Sequence, residues 1–212
     1  MTSAAGGLRR FLDRLTPLPV ARQVESEFRP FLDLLASTGV RSYLEVGAYR
    51  GGTFYRVMRR LPLGSLGVTV DDGRRTVMRN HRPVLAIVGD RLRGDGYRIE
   101  HVFGDSQESD TIESVRRLAP FDAVLIDADH RYAGARRDWE SYGPMARRIV
   151  AFHDIAEEHT TRAGTRVEVA RLWREIVASG ATTREFVAPG SKRGIGVVLR
   201  DQEKPVAPAA GG

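Results

Sequence analysis

The sequence predicts an α/β domain: a doubly wound, mostly parallel sheet with an antiparallel edge strand, helices on both faces and a short N-terminal helical cover. Three observations predict it. From Val40 onward, short apolar runs that end in small or acidic residues alternate with amphipathic segments of helical period. The first run passes directly into a glycine-rich turn that opens a helix. The last two runs are joined by the loop Ala188-Pro-Gly-Ser-Lys-Arg193, which reads as an antiparallel hairpin at one sheet edge.

Taken in order, strands are expected over 41–46, 66–70, 98–103, 123–126 and 149–152, and the hairpin pair over 184–187 and 194–199. Helices are expected between them over 53–60, 110–118, 132–142 and 167–179, each with apolar positions three or four apart. The first forty residues precede this alternation. A helix over 8–15 places Leu8, Phe11, Leu12 and Leu15 on one face, Pro17 and Pro19 break it, and a second helix follows over 25–37. The expected organisation is a cover over 1–39, one ligand-binding α/β domain over 40–200, and a Pro/Ala/Gly-rich disordered tail over 201–212.

Composition narrows the function classes. The chain of 212 residues is 42% hydrophobic, enough for one core. It holds no apolar stretch near the roughly 18 to 20 residues of a membrane helix, and MTSAAGGLRRF lacks a secretory apolar region, so a cytoplasmic protein without a membrane partner is expected. The absence of cysteine excludes disulfides, thiolate metal sites and a cysteine nucleophile. The net charge of +6 comes from 33 basic residues, of which only Lys192 and Lys204 are lysine. The arginines stand mostly in pairs on presumed helix faces, interleaved with acids, and no long basic run or RNA-binding aromatic signature appears. That pattern points to a small-molecule partner rather than nucleic acid.

The segment Tyr43-Leu-Glu-Val-Gly-Ala-Tyr49-Arg-Gly-Gly-Thr53 carries the first chemical signal. Gly47, Gly51 and Gly52 let the backbone turn sharply and approach a ligand, and the helix that follows offers unpaired N–H groups. The dinucleotide spacing G-x-G-x-x-G is absent. Glu45, two residues before the first glycine, suits an ammonium group or ribose hydroxyls better than a pyrophosphate. Three further acids close the next strands: Asp71 after strand two, Asp105 with Ser106 after strand three, and Asp127 after strand four. In a doubly wound sheet all four lie on the carboxyl edge where such folds bind ligands. There Asp71 can accept hydrogen bonds from two ribose hydroxyls, and Asp105 can meet an adenine amino group.

Together these motifs resemble a class I S-adenosylmethionine (SAM)-dependent methyltransferase, with its Rossmann-like fold. Ile126-Asp-Ala-Asp-His-Arg-Tyr132, Asp138-Trp-Glu140 and Ile149-Val-Ala-Phe-His-Asp-Ile155 resemble more narrowly the branch of macrocin-type sugar O-methyltransferases and cephalosporin hydroxylase-like proteins. The resemblance covers about residues 40–200. It implies that the loop with Glu45, Gly47, Tyr49, Gly51 and Thr53 cradles the methionine part of SAM, that Asp71 holds the ribose, that Asp105 and Ser106 hold the adenine, and that Asp127 also borders the cofactor. The acceptor it implies is a small molecule with a hydroxyl group, such as a natural-product sugar.

Asp127 ends strand four and Asp154 follows strand five, so the two carboxylates can converge on one hard divalent cation, Mg²⁺ first. Such an ion would lower the pKa of a substrate hydroxyl, and His130, with an ordinary pKa near about 6.5, would take the proton. The resemblance implies the same pattern, with an Asp and a His spaced as D-x-x-H and an acidic pair after strand five. Here that pair is His153-Asp154, which makes His153 either a third ligand better matched to Mn²⁺, Fe²⁺ or Zn²⁺ or a hydrogen-bonded structural histidine. His130 likewise stands as the base or as a residue that orients substrate or caps a helix. The stretch 72–97 reads as part of an acceptor-site lid or as a surface connection. The N-terminal cover serves either as lid or as a subunit contact, which leaves a homo-oligomer open.

Overall fold

The computed structural model describes residues 21, 23–76 and 79–200. The helix expected over 8–15 and the tail over 201–212 lie outside the described residues. The described chain opens with α1 (Glu25–Ser37), whose Phe28, Phe31, Leu32 and Leu35 form one buried stripe at helical spacing. It continues through β1 (Ser42–Val46), α2 (Gly52–Met58), β2 (Leu66–Asp71), β3 (Arg74–Thr76), β4 (Arg79–Asn80), α3 (Arg82–Gly94) and β5 (Arg98–Phe103). The second half contains α4 (Ser109–Arg116), β6 (Phe121–Ile126), α5 (Tyr132–Tyr142), β7 (Ala146–His153), β8 (His159–Thr160), β9 (Arg166–Val167), α6 (Val169–Ala178), β10 (Thr183–Phe186) and β11 (Ile195–Leu199).

Seven strands form the main sheet in the order β10-β11-β7-β6-β1-β2-β5. The five strands from β7 to β5 are parallel, whereas β11 runs antiparallel to β7 and β10 antiparallel to β11. Every residue of β6 is buried, as expected for a parallel strand covered on both faces. One face packs Phe28, Phe31 and Leu35 of α1, Phe54 and Val57 of α2 and Val88 and Leu92 of α3. The other packs Val115 of α4, Tyr142 of α5 and Leu172, Trp173 and Ile176 of α6. At about 25 cal/mol per Å² of apolar surface, these two layers are the main favourable contribution to the fold.

The chain winds outward from β1 to β2 and β5, then returns to the other side of β1 for β6 and β7. The reversal of direction lies between β1 and β6, and their carboxyl ends meet there.

The expected strands all form, with ends displaced by up to three residues. The stretch 72–97 departs further from expectation, because it contains the thirteen-residue helix α3 and the two-stranded β3/β4 hairpin. Gly89 and Gly94, together with six arginines over 74–93, disguise the helix in sequence. Its signal is Pro83 in the first turn, followed by Leu85, Val88 and Leu92 on the buried side. A second short hairpin, β8/β9, also escaped the apolar pattern, since its strands are two residues each.

Candidate active site

The carboxyl edge is assembled around the close meeting of β1 and β6. Asp127 donates its backbone N–H to the Val46 carbonyl at 2.8 Å, and Gly47 donates to the Val70 carbonyl at 2.8 Å. Gly47 has φ +91°, and a Cβ there would run into the Asp127 carbonyl and the Ala128 Cα. Only glycine permits this approach. Two residues on, Tyr49 holds the left-handed conformation at φ 51°, and Asp154 does so at φ 63°. Non-glycine residues adopt that region at some cost, and both sit at this edge.

Each expected cofactor residue has a definite place. Glu45 is buried beneath the turn, where it accepts the Tyr43 hydroxyl at 2.7 Å, and burial pushes its carboxyl pKa well up. Asp71 accepts the Tyr49 N–H at 2.6 Å on Oδ2 and the Gly73 N–H at 2.7 Å on Oδ1. It therefore ties the glycine turn to the end of β2, and burial raises its pKa against those bonds. Thr53 stands buried in the first turn of α2, just past Gly51 at its N-cap. Asp105 is exposed and accepts the Gln107 N–H at 2.9 Å, which shapes the turn after β5. Ser106 is buried in that turn, and its carbonyl accepts the Tyr142 hydroxyl at 2.7 Å. Asp138 lies fully buried close to Ser106, and burial lifts its carboxyl to about 6.

The four residues expected to carry chemistry converge. His130 Nδ1 lies 2.9 Å from Asp154 Oδ2, and its Nε2 lies 3.9 Å from Asp127 Oδ1. His153 Nδ1 lies 3.1 Å from Asp127 Oδ1 and 3.4 Å from Asp154 Oδ1. Burial alone would lower both histidine pKa values. For His130 the hydrogen bond to Asp154 and the charge of Asp127 outweigh burial and raise it. For His153 the charge and hydrogen bond of Asp127, with the charge of Asp154, hold it at about 9. Asp154 is lowered: burial is opposed by the His130 bond and the His153 charge, which together prevail.

The arrangement lends no support to the metal expectation. Among the described residues, no three His, Asp or Glu side chains form a group able to hold a metal ion. Asp127 Oδ1 and Asp154 Oδ1 both face His153 Nδ1, and Asp154 Oδ2 faces His130 Nδ1, so imidazole nitrogens stand where the two carboxylates would close on the divalent cation expected at Asp127, His153 and Asp154. The donor set fits a nucleoside ligand better. A glycine-lined turn, an acid at the end of β2 and a buried serine after β5 follow one another along the edge.

Two residues of this edge were missed from sequence. Gln23, just before α1, accepts the Thr53 hydroxyl at 2.5 Å and donates to Asp127 Oδ2 at 3.4 Å. No local pattern marks it. Gln107 donates to Asp129 Oδ2 at 3.3 Å and borders a cavity of about 450 Å³ lined also by Asp129, Arg131, Tyr132 and Arg137. Its position beside Asp105 and Ser106 in the turn after β5 was the available signal.

The model of a methyltransferase-domain family matches residues 44–155, more than half of the chain, and the chain belongs to that family. The matched span runs from β1 through the His153-Asp154 pair, so it holds most of the edge described above. Among solved structures, the chain is similar to an O-methyltransferase from Bacillus cereus in complex with SAH, at 19% identity and TM-score 0.61 over 94% of this chain and 93% of that one. It is similar to cofactor-bound Rv0187 from MTB at 24% identity and TM-score 0.61, over 92% and 88%. The O-methyltransferase TomG from Streptomyces achromogenes, involved in tomaymycin synthesis and solved with SAM, matches at 19% and 0.61, over 92% and 87%. At such identities these likenesses show the fold. No curated protein sequence matches the chain. Among the described residues, no helix is long and apolar enough to cross a membrane.

Proposed function

We propose that this protein transfers a methyl group from SAM to a hydroxyl oxygen of a small molecule, with His130 as the base. The observation that carries the reading is the 2.9 Å pairing of His130 Nδ1 with Asp154 at the end of the parallel sheet, beside the glycine turn. Asp154 selects the tautomer with the proton on Nδ1 and leaves Nε2 free to accept one. SAM supplies an electrophilic methyl on a sulfonium whose departure as a neutral thioether takes the electron pair of the broken bond. The site's own contribution is electrostatic and positional. A protonated His153 between Asp127 and Asp154 leaves the cluster one net negative charge, which favours a cationic ligand. His130 draws the proton from the acceptor hydroxyl as the oxygen bonds to carbon, and Asp71 and Ser106 border the nucleoside end.

A natural-product hydroxyl, such as that of a sugar, is the proposed acceptor class; the similarity to TomG, an O-methyltransferase involved in tomaymycin synthesis, supports it. Nucleic acid fits less well, because many arginines are engaged with acids, including Arg56 with Glu25, Arg59 with Asp95 and Arg136 with Glu140. The test is calorimetric titration with SAM and S-adenosylhomocysteine, repeated on Asp71→Ala. Binding by the native chain that weakens at least about tenfold in the variant supports the reading, since Asp71 both anchors the turn and faces the nucleoside. Absence of binding by either nucleoside sinks it. EDTA treatment of a working assay is expected to leave turnover unchanged, and restoration of a lost rate by Mg²⁺ or Mn²⁺ would show that Asp127 and Asp154 rotate away from their histidines.

A further inference from the structure

The Gln23 side chain spans two arms of the site that are far apart in sequence. Its Oε1 accepts the Thr53 hydroxyl at 2.5 Å at the start of α2, and its Nε2 donates to Asp127 Oδ2 at 3.4 Å at the end of β6. Among the described residues, neither the Thr53 hydroxyl nor Asp127 Oδ2 has another hydrogen-bond partner. A carboxamide offers one acceptor and one donor side by side. The amino-acid end of SAM offers the same pair in charged form, a carboxylate to accept and an ammonium to donate. A hydroxyl donor and a carboxylate acceptor facing each other across the glycine turn suit either group.

We propose that Gln23 is a placeholder that competes for the seat of the cofactor's amino-acid end and must leave that seat when the cofactor binds. This rests on the SAM reading given above. The carboxamide satisfies Thr53 and Asp127, so neither is left as an unpaired polar group. The zwitterion then takes over both bonds in charge-assisted form, which makes the exchange favourable but subtracts the broken Gln23 bonds from the affinity. Gln23 thereby sets the cofactor affinity from outside the family-matched segment, which begins at residue 44.

The experiment compares the native chain with Gln23→Ala and with Gln23→Asn, whose shorter amide cannot span the two arms. Calorimetry measures binding of S-adenosylhomocysteine, which has the amino-acid end, and of 5′-methylthioadenosine, which lacks it. Both variants are expected to bind the former several-fold to about tenfold more tightly, with the latter unchanged. Unchanged or weaker S-adenosylhomocysteine binding in the variants overturns the proposal, as does an equal gain for both ligands. If 5′-methylthioadenosine binds and only the expected difference is missing, the placeholder alone fails. If neither nucleoside binds the native chain, the SAM reading fails and takes the placeholder with it.

Discussion

His130 occupies the position from which a single side chain can be tested against the proposed chemistry. Replacing it with alanine is expected to lower kcat about 10²–10⁴-fold while S-adenosylhomocysteine affinity holds, because a base is used in the reaction and not in cofactor binding. Its raised pKa places the acidic limb of the rate profile above the ordinary histidine value, with activity rising as pH rises and the ring loses its proton. Asp154→Asn removes the charge that holds the pKa up, and asparagine tolerates the φ of 63°. That limb should then move to lower pH in a pH–rate series. His153 gives a separate stability signature. Its folded pKa of about 9 exceeds the unfolded value, so its contribution is complete below about pH 6.5 and is lost as pH rises through 9. Urea midpoints between about pH 6 and 10 should fall across that window in the native chain and fall less in His153→Gln. Asp71, Asp127 and Asp154 were legible in sequence because each follows an apolar run at the same sheet edge. Gln23 was not, because its partner Asp127 lies 104 residues away and only the folded chain brings them together.

Helix α3 shows what an element can hide. Its apolar positions are sparse because Gly89 takes the place where a side chain would otherwise face the sheet. A Cβ at Gly89 would collide with His101 Nε2, and His101 is fixed by a 2.7 Å bond between its Nδ1 and the Thr69 hydroxyl. Burial, assisted by Arg93, drives the His101 pKa down to about 4, so the ring is neutral and fits this dry contact. In a free helix Gly→Ala would gain about 1 kcal/mol. Here the overpacking cost of about 1–3 kcal/mol should exceed it, and Gly89→Ala is expected to lower the urea midpoint. An unchanged or raised midpoint would mean that His101 yields easily. Helix α6 was readable because its buried stripe of Val169, Leu172, Trp173 and Ile176 is unbroken, whereas α3 divides its contact between side chains and bare backbone.

Across the whole molecule, α1 and the edge hairpin act on each other through Glu27. This carboxylate is fully buried and accepts the Ala188 N–H at 3.0 Å and the Gly194 N–H at 3.1 Å. Glu27→Gln turns one acceptor into a donor facing an N–H, which should cost about 1–3 kcal/mol and shift the denaturation midpoint without changing its slope. The fold class could be read from the alternation of elements, but this tie could not, since nothing in the pattern of α1 distinguishes Glu27 from a solvated helix acid. The same loop meets the catalytic edge directly: Gly194 accepts the Asp154 N–H at 3.0 Å, and Arg193 accepts the Ala156 N–H at 2.7 Å. It hangs from two antiparallel strands, outside the parallel register that aligns β1, β2 and β6. Residues 189–192 lie between the two N–H groups that Glu27 holds, so lengthening or replacing them would change the loop while both anchors, and the backbone bonds to Asp154 and Ala156, stay fixed, which makes this short span a tolerant place for an insertion.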